Sequence, residues 1–163
     1  MYIERVELIG FKSFAKKTEL IFGPELSVIM GPNGGGKSNI FDAIRWAIGE
    51  QRLSLLRSSV LEDVIFDGSD EMHPYNFAQV SVQIADAEGL LPYDPKADRI
   101  RITRKAFRDG DSQFLINNVP MRLKDIRNVL ASVGLGDVGY AVMDKSPIQS
   151  IGKVRIGGVY IHC

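Results

Sequence analysis

The sequence has one cysteine, no apolar run of membrane-spanning length and no excess of charge of either sign. Because Cys163 has no second cysteine to pair with, an internal disulfide framework is excluded, and nothing around this residue suggests a metal site. Lysine and arginine together number 20, as do aspartate and glutamate, so the net charge gives no global sign of a nucleic-acid partner. The first ten residues also lack the apolar core of a signal peptide. We therefore expect a cytoplasmic protein with no membrane partner.

The composition is that of an ordinary globular domain. The 163 residues are 45% hydrophobic and 25% charged, which is enough apolar material for one buried core. Glycines recur toward the end of the chain without a helical period. We expect one lobe over residues 1–150 and an irregular tail over residues 151–163.

The most informative segment is the phosphate-binding loop at residues 31–38, which reads GPNGGGKS and fits the pattern G-x-x-x-x-G-K-[ST]. Its glycines allow several backbone N–H groups to turn toward one anion. A helix beginning near Lys37 would direct its free N–H groups and positive dipole end at the same phosphates. Lys37 would neutralise phosphate charge, and the Ser38 hydroxyl is a suitable ligand for Mg²⁺.

The surrounding pattern supports this interpretation, because the motif needs a strand before it and a helix after it. Residues 26–30 are an apolar strand-like run, and an apolar stripe at helical spacing follows the loop until Gly49. Two further strands are predicted ahead of the loop, at residues 2–11 and 18–22. Their hairpin relation indicates antiparallel strands flanking a mixed central sheet in an α/β fold.

Beyond the first helix we expect a strand at residues 62–66, a turn at 67–70 and a half-exposed strand at 77–84. Strands at 99–107 and 113–117 would complete an antiparallel meander, which Asn117, Asn118 and Pro120 would end, and an amphipathic helix should cover 122–133 with Gly134 as its cap. One strand face would be basic, and nearby cations would extend it: Arg99, Arg101, Arg104, Lys105, Arg108, Arg122, Lys124 and Arg127. This face could contact DNA phosphates, or it could be a solvated surface balanced by acidic neighbours.

Several segments resemble the structural maintenance of chromosomes (SMC) family, in the N-terminal half of its ATPase head. They run colinearly through the chain: GFKSF at residues 10–14, GPNGGGKSNIFDAIRWAIGEQ at 31–51, Leu56-Arg57, EDVIFDGS at 62–69 and VPMRLKDI at 119–126. The phosphate loop alone indicates a nucleotide. The longer helix segment and the segments around it are what resemble this family.

The resemblance implies a P-loop NTPase lobe of the ABC-ATPase type, in which two heads enclose two ATP molecules and drive chromosome organisation at the nucleoid. ATP would be surrounded by the loop residues Pro32, Asn33, Gly34, Gly35, Gly36, Lys37, Ser38 and Asn39, with Ser38 on Mg²⁺. Lys12 would correspond to a basic residue near the nucleotide, and Arg57 to an arginine linked to head engagement. From the residues alone, Lys12 could equally be a solvated turn lysine and Arg57 a surface charge.

The sequence departs from the family at two places. The family places a magnesium-binding glutamine shortly after a stretch that residues 140–144 resemble, and a short strand is predicted here at 140–143. This chain has Lys145 at the place of the glutamine, and Gln149 follows four residues later. The family also leaves the head through a long coiled coil, whereas residues 151–163 carry no heptads.

We find no catalytic carboxylate of the kind this class of ATPase needs, an acidic pair after an apolar strand. Glu62 and Asp63 precede their apolar run, and Asp67, which follows it, is joined to a Gly-Ser turn. The family carries that carboxylate and a signature loop in its C-terminal half. We therefore predict a chain that binds ATP and Mg²⁺ but hydrolyses ATP poorly without a C-terminal head half and a second head. The alternatives are a related DNA-repair or transporter ATPase lobe, or an inert interaction module that needs a partner lobe.

The remaining candidate residues favour structural roles. His73 and His162 are far apart and are interpreted as surface histidines. Trp46 is expected to pack in the core rather than stack on a nucleotide base.

Overall fold

The computed structural model describes residues 1–25, 27–89, 91 and 94–132, and the backbone of a strand at 159–161. Within these residues lie two α-helices and eight strands. In order they are β1 (Tyr2–Ile9), β2 (Thr18–Ile21), β3 (Ser27–Ile29), α1 (Lys37–Ala47), β4 (Phe77–Ala85), β5 (Arg99–Phe107), β6 (Ser112–Ile116), β7 (Val119–Met121), α2 (Leu123–Ser132) and β8 (Val159–Ile161), with single-turn 3-10 helices at Leu53–Leu56 and Leu61–Val64.

Six strands form one antiparallel sheet in the order β2-β1-β4-β5-β6-β7. Strand β4 pairs with β1 on one side and with β5 along its whole length on the other. The predicted hairpin of the first two strands and the later meander are therefore confirmed, and the long-range pairing of β1 with β4 joins them into one sheet. Most of the buried apolar residues of these strands belong to one continuous core, which they share with α1.

The strand that leads into the phosphate loop is not part of that sheet. Strand β3 pairs in parallel with β8, with Ser27 opposite Val159. Parallel and antiparallel pairing thus coexist, as the α/β prediction requires. Of the segment predicted as an irregular or atypical tail, residues 151–163, the structure describes only the three residues of β8.

Helix α1 begins at Lys37, as predicted, and ends before Gly49, whose φ of 107° is left-handed. Its core-facing side includes Trp46, which is fully buried with its ring centroid 5.4 Å from that of Phe11. The packing role predicted for this tryptophan is confirmed.

Two local predictions are wrong. Residues 62–66 do not form a strand, because the Asp63 carboxylate accepts backbone hydrogen bonds from Ser59 (2.6 Å) and Val60 (2.9 Å) and stabilises a 3-10 turn instead. Asn117 and Asn118 do not end the meander, because both have a positive φ and form a tight turn into β7, an edge strand that tolerates its proline.

The alternation predicted for β4 is confirmed at Val80, Val82 and Ile84, which are buried, but one polar residue of the other face is buried as well. Ser81 is buried and its hydroxyl lies 2.8 Å from that of Thr103 on β5. A cross-strand hydroxyl pair satisfies two polar groups at once, so the sheet buries this position without an unpaired donor.

Some sequence predictions fall outside the described residues: the cap at Gly134, the strand at 140–143, and the residues Lys145, Gln149, His162 and Cys163. Among the helices that the structure describes, none is long and apolar enough to cross a membrane.

Candidate functional site: the phosphate-binding loop

Left-handed glycines shape the loop between β3 and α1. Gly34 has φ of 82° and Gly36, which precedes the first turn of α1, has φ of 79°. At Gly36 a side chain would also be crowded, since a Cβ would lie 3.0 Å from Ser13 Oγ and 3.4 Å from the Phe14 ring. Glycine is therefore favoured at this position by its left-handed conformation and by the tight packing around it.

The loop encloses a cavity of about 270 Å³ at the N-terminus of α1. No acidic side chain occupies the first turn of this helix, so its positive dipole end is not offset there. Eight residues line the cavity, and all were predicted from the sequence: Asn33, Gly34, Gly35, Gly36, Lys37, Ser38, Asn39 and Arg57. A concave, glycine-rich surface with two cations is suited to an anion with several negative oxygens.

Lys37 is held against the loop by its own backbone. Its Nζ donates to the carbonyl oxygens of Gly31 (2.6 Å) and Pro32 (2.7 Å), and the side chain is buried. An ammonium group has three N–H donors, so two are used here and one remains for an anion. Pro32 does not line the cavity, but its carbonyl also accepts from the Gly35 amide at 3.1 Å, which tightens the loop.

The turn after β1 lies directly beside the loop. Asn39 Nδ2 donates to Ser13 Oγ at 2.9 Å, and this places the turn of residues 11–14 against the first turn of α1. Lys12, in the same turn, does not line the cavity. It adopts a left-handed φ of 48° and directs its side chain toward α1 instead.

Sequence reasoning did not identify Asp42, which receives both Lys12 and Arg57. Its Oδ2 accepts from Lys12 Nζ at 2.5 Å and from Arg57 Nη2 at 2.7 Å and Nε at 3.2 Å. The carboxylate is almost fully buried, whereas the Arg57 side chain is 47% exposed and reaches the cavity. The available signal was an acidic residue inside the apolar stripe of α1, next to Phe41 and Ala43.

The predicted basic face is wrong for Arg104. This residue shares the buried side of β5 with Ile100 and Ile102, and only 5% of it is exposed. Its Nη1 donates to the carbonyl oxygens of Trp46 (3.0 Å) and Glu50 (2.9 Å) at the end of α1. Burial lowers the pKa of Arg104 to about 10, so it stays charged at neutral pH.

Other cations of this face are paired with carboxylates on β1. Arg101 lies 2.7 Å from Glu7, and Arg99 lies 3.0 Å from Glu4. Hydrogen bonds from Arg99 and Gln83 lower the pKa of Glu4. Ion pairing of this kind reduces the charge available to a polyanion, so DNA contact through this face stays an untested prediction.

Fold and site together define a P-loop nucleotide-binding lobe of the type found in ABC ATPase heads. The family described as RecF/RecN/SMC N terminal domain matches residues 2–138. The chain therefore belongs to this family, and the resemblance seen in the sequence is confirmed.

Relatives and solved structures show which branch of this family the chain is most similar to among those compared. The chain is 44% identical over 151 residues to the chromosome partition protein Smc of Lactiplantibacillus plantarum, covering 93% of this chain and 13% of that protein. An Smc head domain with a coiled coil and joint from Pyrococcus yayanosii superposes with a TM-score of 0.82 at 31% identity, over 88% of this chain and 28% of that one. A structure from work on ATP-driven dimerization and DNA-stimulated activation of SMC ATPases gives a TM-score of 0.75 at 33% identity, over 81% of this chain and 79% of that one. The chain thus corresponds to the N-terminal head region and spans about an eighth of the curated relatives' length.

Proposed function

We propose that this chain is the ATP-binding half of an SMC-type ATPase head and acts in chromosome segregation and condensation at the nucleoid. The observation that carries the proposal is the cavity at the start of α1, where the loop glycines, Lys37 and Arg57 line one concave surface. Backbone N–H groups, a helix N-terminus and two cations are the combination that binds polyphosphates. ATP is the nucleotide that the family supports.

Mg²⁺ would be bound mainly through the nucleotide. Among the described residues no group of three His, Cys, Asp or Glu side chains could hold a metal by itself. Ser38 lines the cavity, and one hydroxyl fits an ion that takes its other ligands from phosphate oxygens and water. Bound Mg²⁺ would neutralise charge on the phosphates, while Ser38 would fix its position beside Lys37.

A complementing C-terminal lobe would supply what this part of the chain lacks. Apolar side chains are exposed beside the loop, with Val28 50% and Met30 78% accessible. Val28 lies within β3, the short strand that leads into the loop, and Met30 directly follows it. Covering both side chains would be favourable by the hydrophobic effect. The same lobe would bring the catalytic carboxylate.

Engagement of two such heads around ATP would couple the nucleotide to chromosome organisation. The support for this step is the similarity to the solved SMC ATPase chain and to the chromosome partition proteins. The same relatives favour this branch over a DNA-repair or transporter ATPase lobe.

Binding of Mg-ATP to the purified chain, measured by calorimetry, tests the first part of the proposal. Lys37→Ala should abolish binding, because it removes a charge directed at the phosphates. Lys16→Ala, at an exposed position away from the cavity, should bind like wild type. Equal binding by Lys37→Ala and wild type would contradict the proposed site.

ATP turnover tests the second part. The chain alone should hydrolyse ATP at or near background, and addition of the C-terminal head lobe of the L. plantarum relative should restore turnover. Rapid hydrolysis by the chain alone, abolished by Lys37→Ala, would contradict the proposed division of the site. If the lobe binds but turnover does not return, the chain is an interaction module.

A further inference from the structure

We propose that Asp42 is a positioning residue which, with its charge neutralised by Lys12, holds the Arg57 guanidinium at the phosphate cavity for contact with bound nucleotide. The inference rests on the proposed function, because it assigns a role within the same site. Three residues from three separate segments meet at one carboxylate oxygen: Lys12 after β1, Asp42 within α1 and Arg57 after the first 3-10 helix.

Burial distinguishes the two cations. The Lys12 side chain is 11% exposed and the Asp42 side chain 3%, so this pair is screened from solvent and from ligand. Arg57 is 47% exposed and lines the cavity. Of the two, Arg57 is therefore the cation that can reach a phosphate, and Lys12 is its support rather than a ligand.

The charge balance of the cluster assigns the same roles to Lys12 and Arg57. One carboxylate faces two cations, which leaves one positive charge in excess. A buried carboxylate requires a partner, and Lys12 supplies one permanently. The Arg57 charge therefore remains available to an anion, even while its Nε and Nη2 stay directed by Asp42 Oδ2.

Lys12 also fixes the backbone that carries Arg57. Its Nζ donates to the Leu56 carbonyl as well as to Asp42, and its own amide donates to Val64 at 2.8 Å. The residue before Arg57 is thereby tied to the turn of residues 11–14. Position and charge of the arginine depend on the same lysine.

The backbone conformation of Arg57 indicates that the contacts of its side chain determine its position. Its φ of 51° lies in the left-handed region, where glycine is favoured. Lys12 is also left-handed, with φ of 48°. Both cations thus occupy conformations that non-glycine residues rarely adopt, and such conformations persist where surrounding contacts determine them.

A double-mutant cycle on Mg-ATP binding tests the positioning role. Arg57→Met should weaken binding about tenfold, as expected for loss of one charge-assisted hydrogen bond. Asp42→Asn should weaken it by roughly three- to tenfold in the wild type, yet by less than about twofold in the Arg57→Met background. Asp98→Asn, which makes the same charge change in an exposed Asp-Arg pair, is the control and should bind normally.

Two results would overturn the inference. Tighter binding by Asp42→Asn would show that the carboxylate only opposes the anion. Additive losses in the cycle would show that it acts independently of Arg57.

Because Asp42→Asn alone leaves Lys12 without a counter-ion, the Asp42→Asn/Lys12→Met double variant removes both buried charges and should fold, with binding as weak as that of Arg57→Met.

A nucleotide-free measurement separates this inference from the proposed function. In the wild type, the Arg57 Nε proton should exchange slowly with solvent. In Asp42→Asn its exchange rate should rise at least about tenfold. An unchanged exchange rate would refute the positioning role even if ATP binds. If the wild type binds no ATP, the proposed function fails, while this exchange rate still decides whether Asp42 holds Arg57.

Discussion

The Arg104 guanidinium lies 4.7 Å from the centroid of the Trp46 ring and donates a 3.0 Å hydrogen bond to the carbonyl oxygen of the same residue. The same guanidinium also lies 4.7 Å from the Phe114 ring centroid. One side chain thus joins the meander to the C-terminal end of α1, the helix whose other end forms the phosphate site. A cation is favourable at a helix C-terminus, where carbonyl groups lack partners within the helix.

Arg104→Lys should destabilise the protein by about 1–3 kcal/mol, because a lysine ammonium lacks the planar guanidinium that contacts both rings and both carbonyl groups. Chemical denaturation measures the free energy of unfolding. Arg99→Lys makes the same substitution at a half-exposed position in β5 and should cost less than about 1 kcal/mol. Equal losses in the two variants would contradict the role assigned to Arg104.

Gly36→Ala should abolish ATP binding and destabilise the fold, because a Cβ would lie 3.0 Å from Ser13 Oγ at a position with positive φ. Gly110→Ala is the matched control: its φ of 91° is also positive, but no atom lies within 4 Å of the added Cβ. The control should show only the backbone cost of about 1–2 kcal/mol and normal binding. Equal destabilisation of the two variants would argue against tight packing between the loop and the turn of residues 11–14.

The buried hydroxyl pair of Ser81 and Thr103 should show strong coupling. Ser81→Ala and Thr103→Val should each cost about 1–3 kcal/mol, because each leaves a buried hydroxyl without its partner. The double variant should cost less than the sum of the two, as measured by the free energy of unfolding. Additive costs would show that the hydroxyls are satisfied separately.

Glu50 should make stability depend on acid pH. Although burial raises its pKa, hydrogen bonds from Arg52 and backbone amides lower it below the usual value of 4.5. A lowered folded pKa gives stability that is fully present above the unfolded pKa and lost as pH falls through the folded value. The stability difference between wild type and Glu50→Gln should therefore shrink between about pH 5 and pH 3. A difference that stays constant over this interval would contradict the assignment, and Glu71→Gln, on an exposed turn, controls for the change of charge.

Charge reversal can test DNA contact only at suitable positions. Reversing Arg104 would place an acidic group in the core and would report on folding. Arg101→Glu and Lys105→Glu lie on the other side of β5 and keep its core residues intact. If this face contacts DNA, both should weaken binding, most clearly at low salt. Unchanged affinity would remove the face from consideration.

The sequence by itself determined the phosphate loop, the start of α1 and the family, because these depend on local spacing. A glycine loop before Lys37 and Ser38, placed between a strand and a helix, indicates a phosphate-binding site from its spacing alone. The alternation of β1, β4 and β5 likewise needs only neighbours along the chain. The strand predicted at residues 62–66 is wrong because an apolar run does not show that the Asp63 carboxylate accepts hydrogen bonds from the backbone amides before it.

Only the tertiary structure decided what Arg104, Lys12 and Asp42 do. An arginine among strand residues looks solvent-facing until α1 and β6 bring the Trp46 and Phe114 rings into contact with it. Asp42 looks like an interruption of an apolar stripe until two distant turns place cations on it. The physical reason is the same in both cases: a buried charge is tolerated only where partners from remote segments converge, and sequence spacing does not record that convergence.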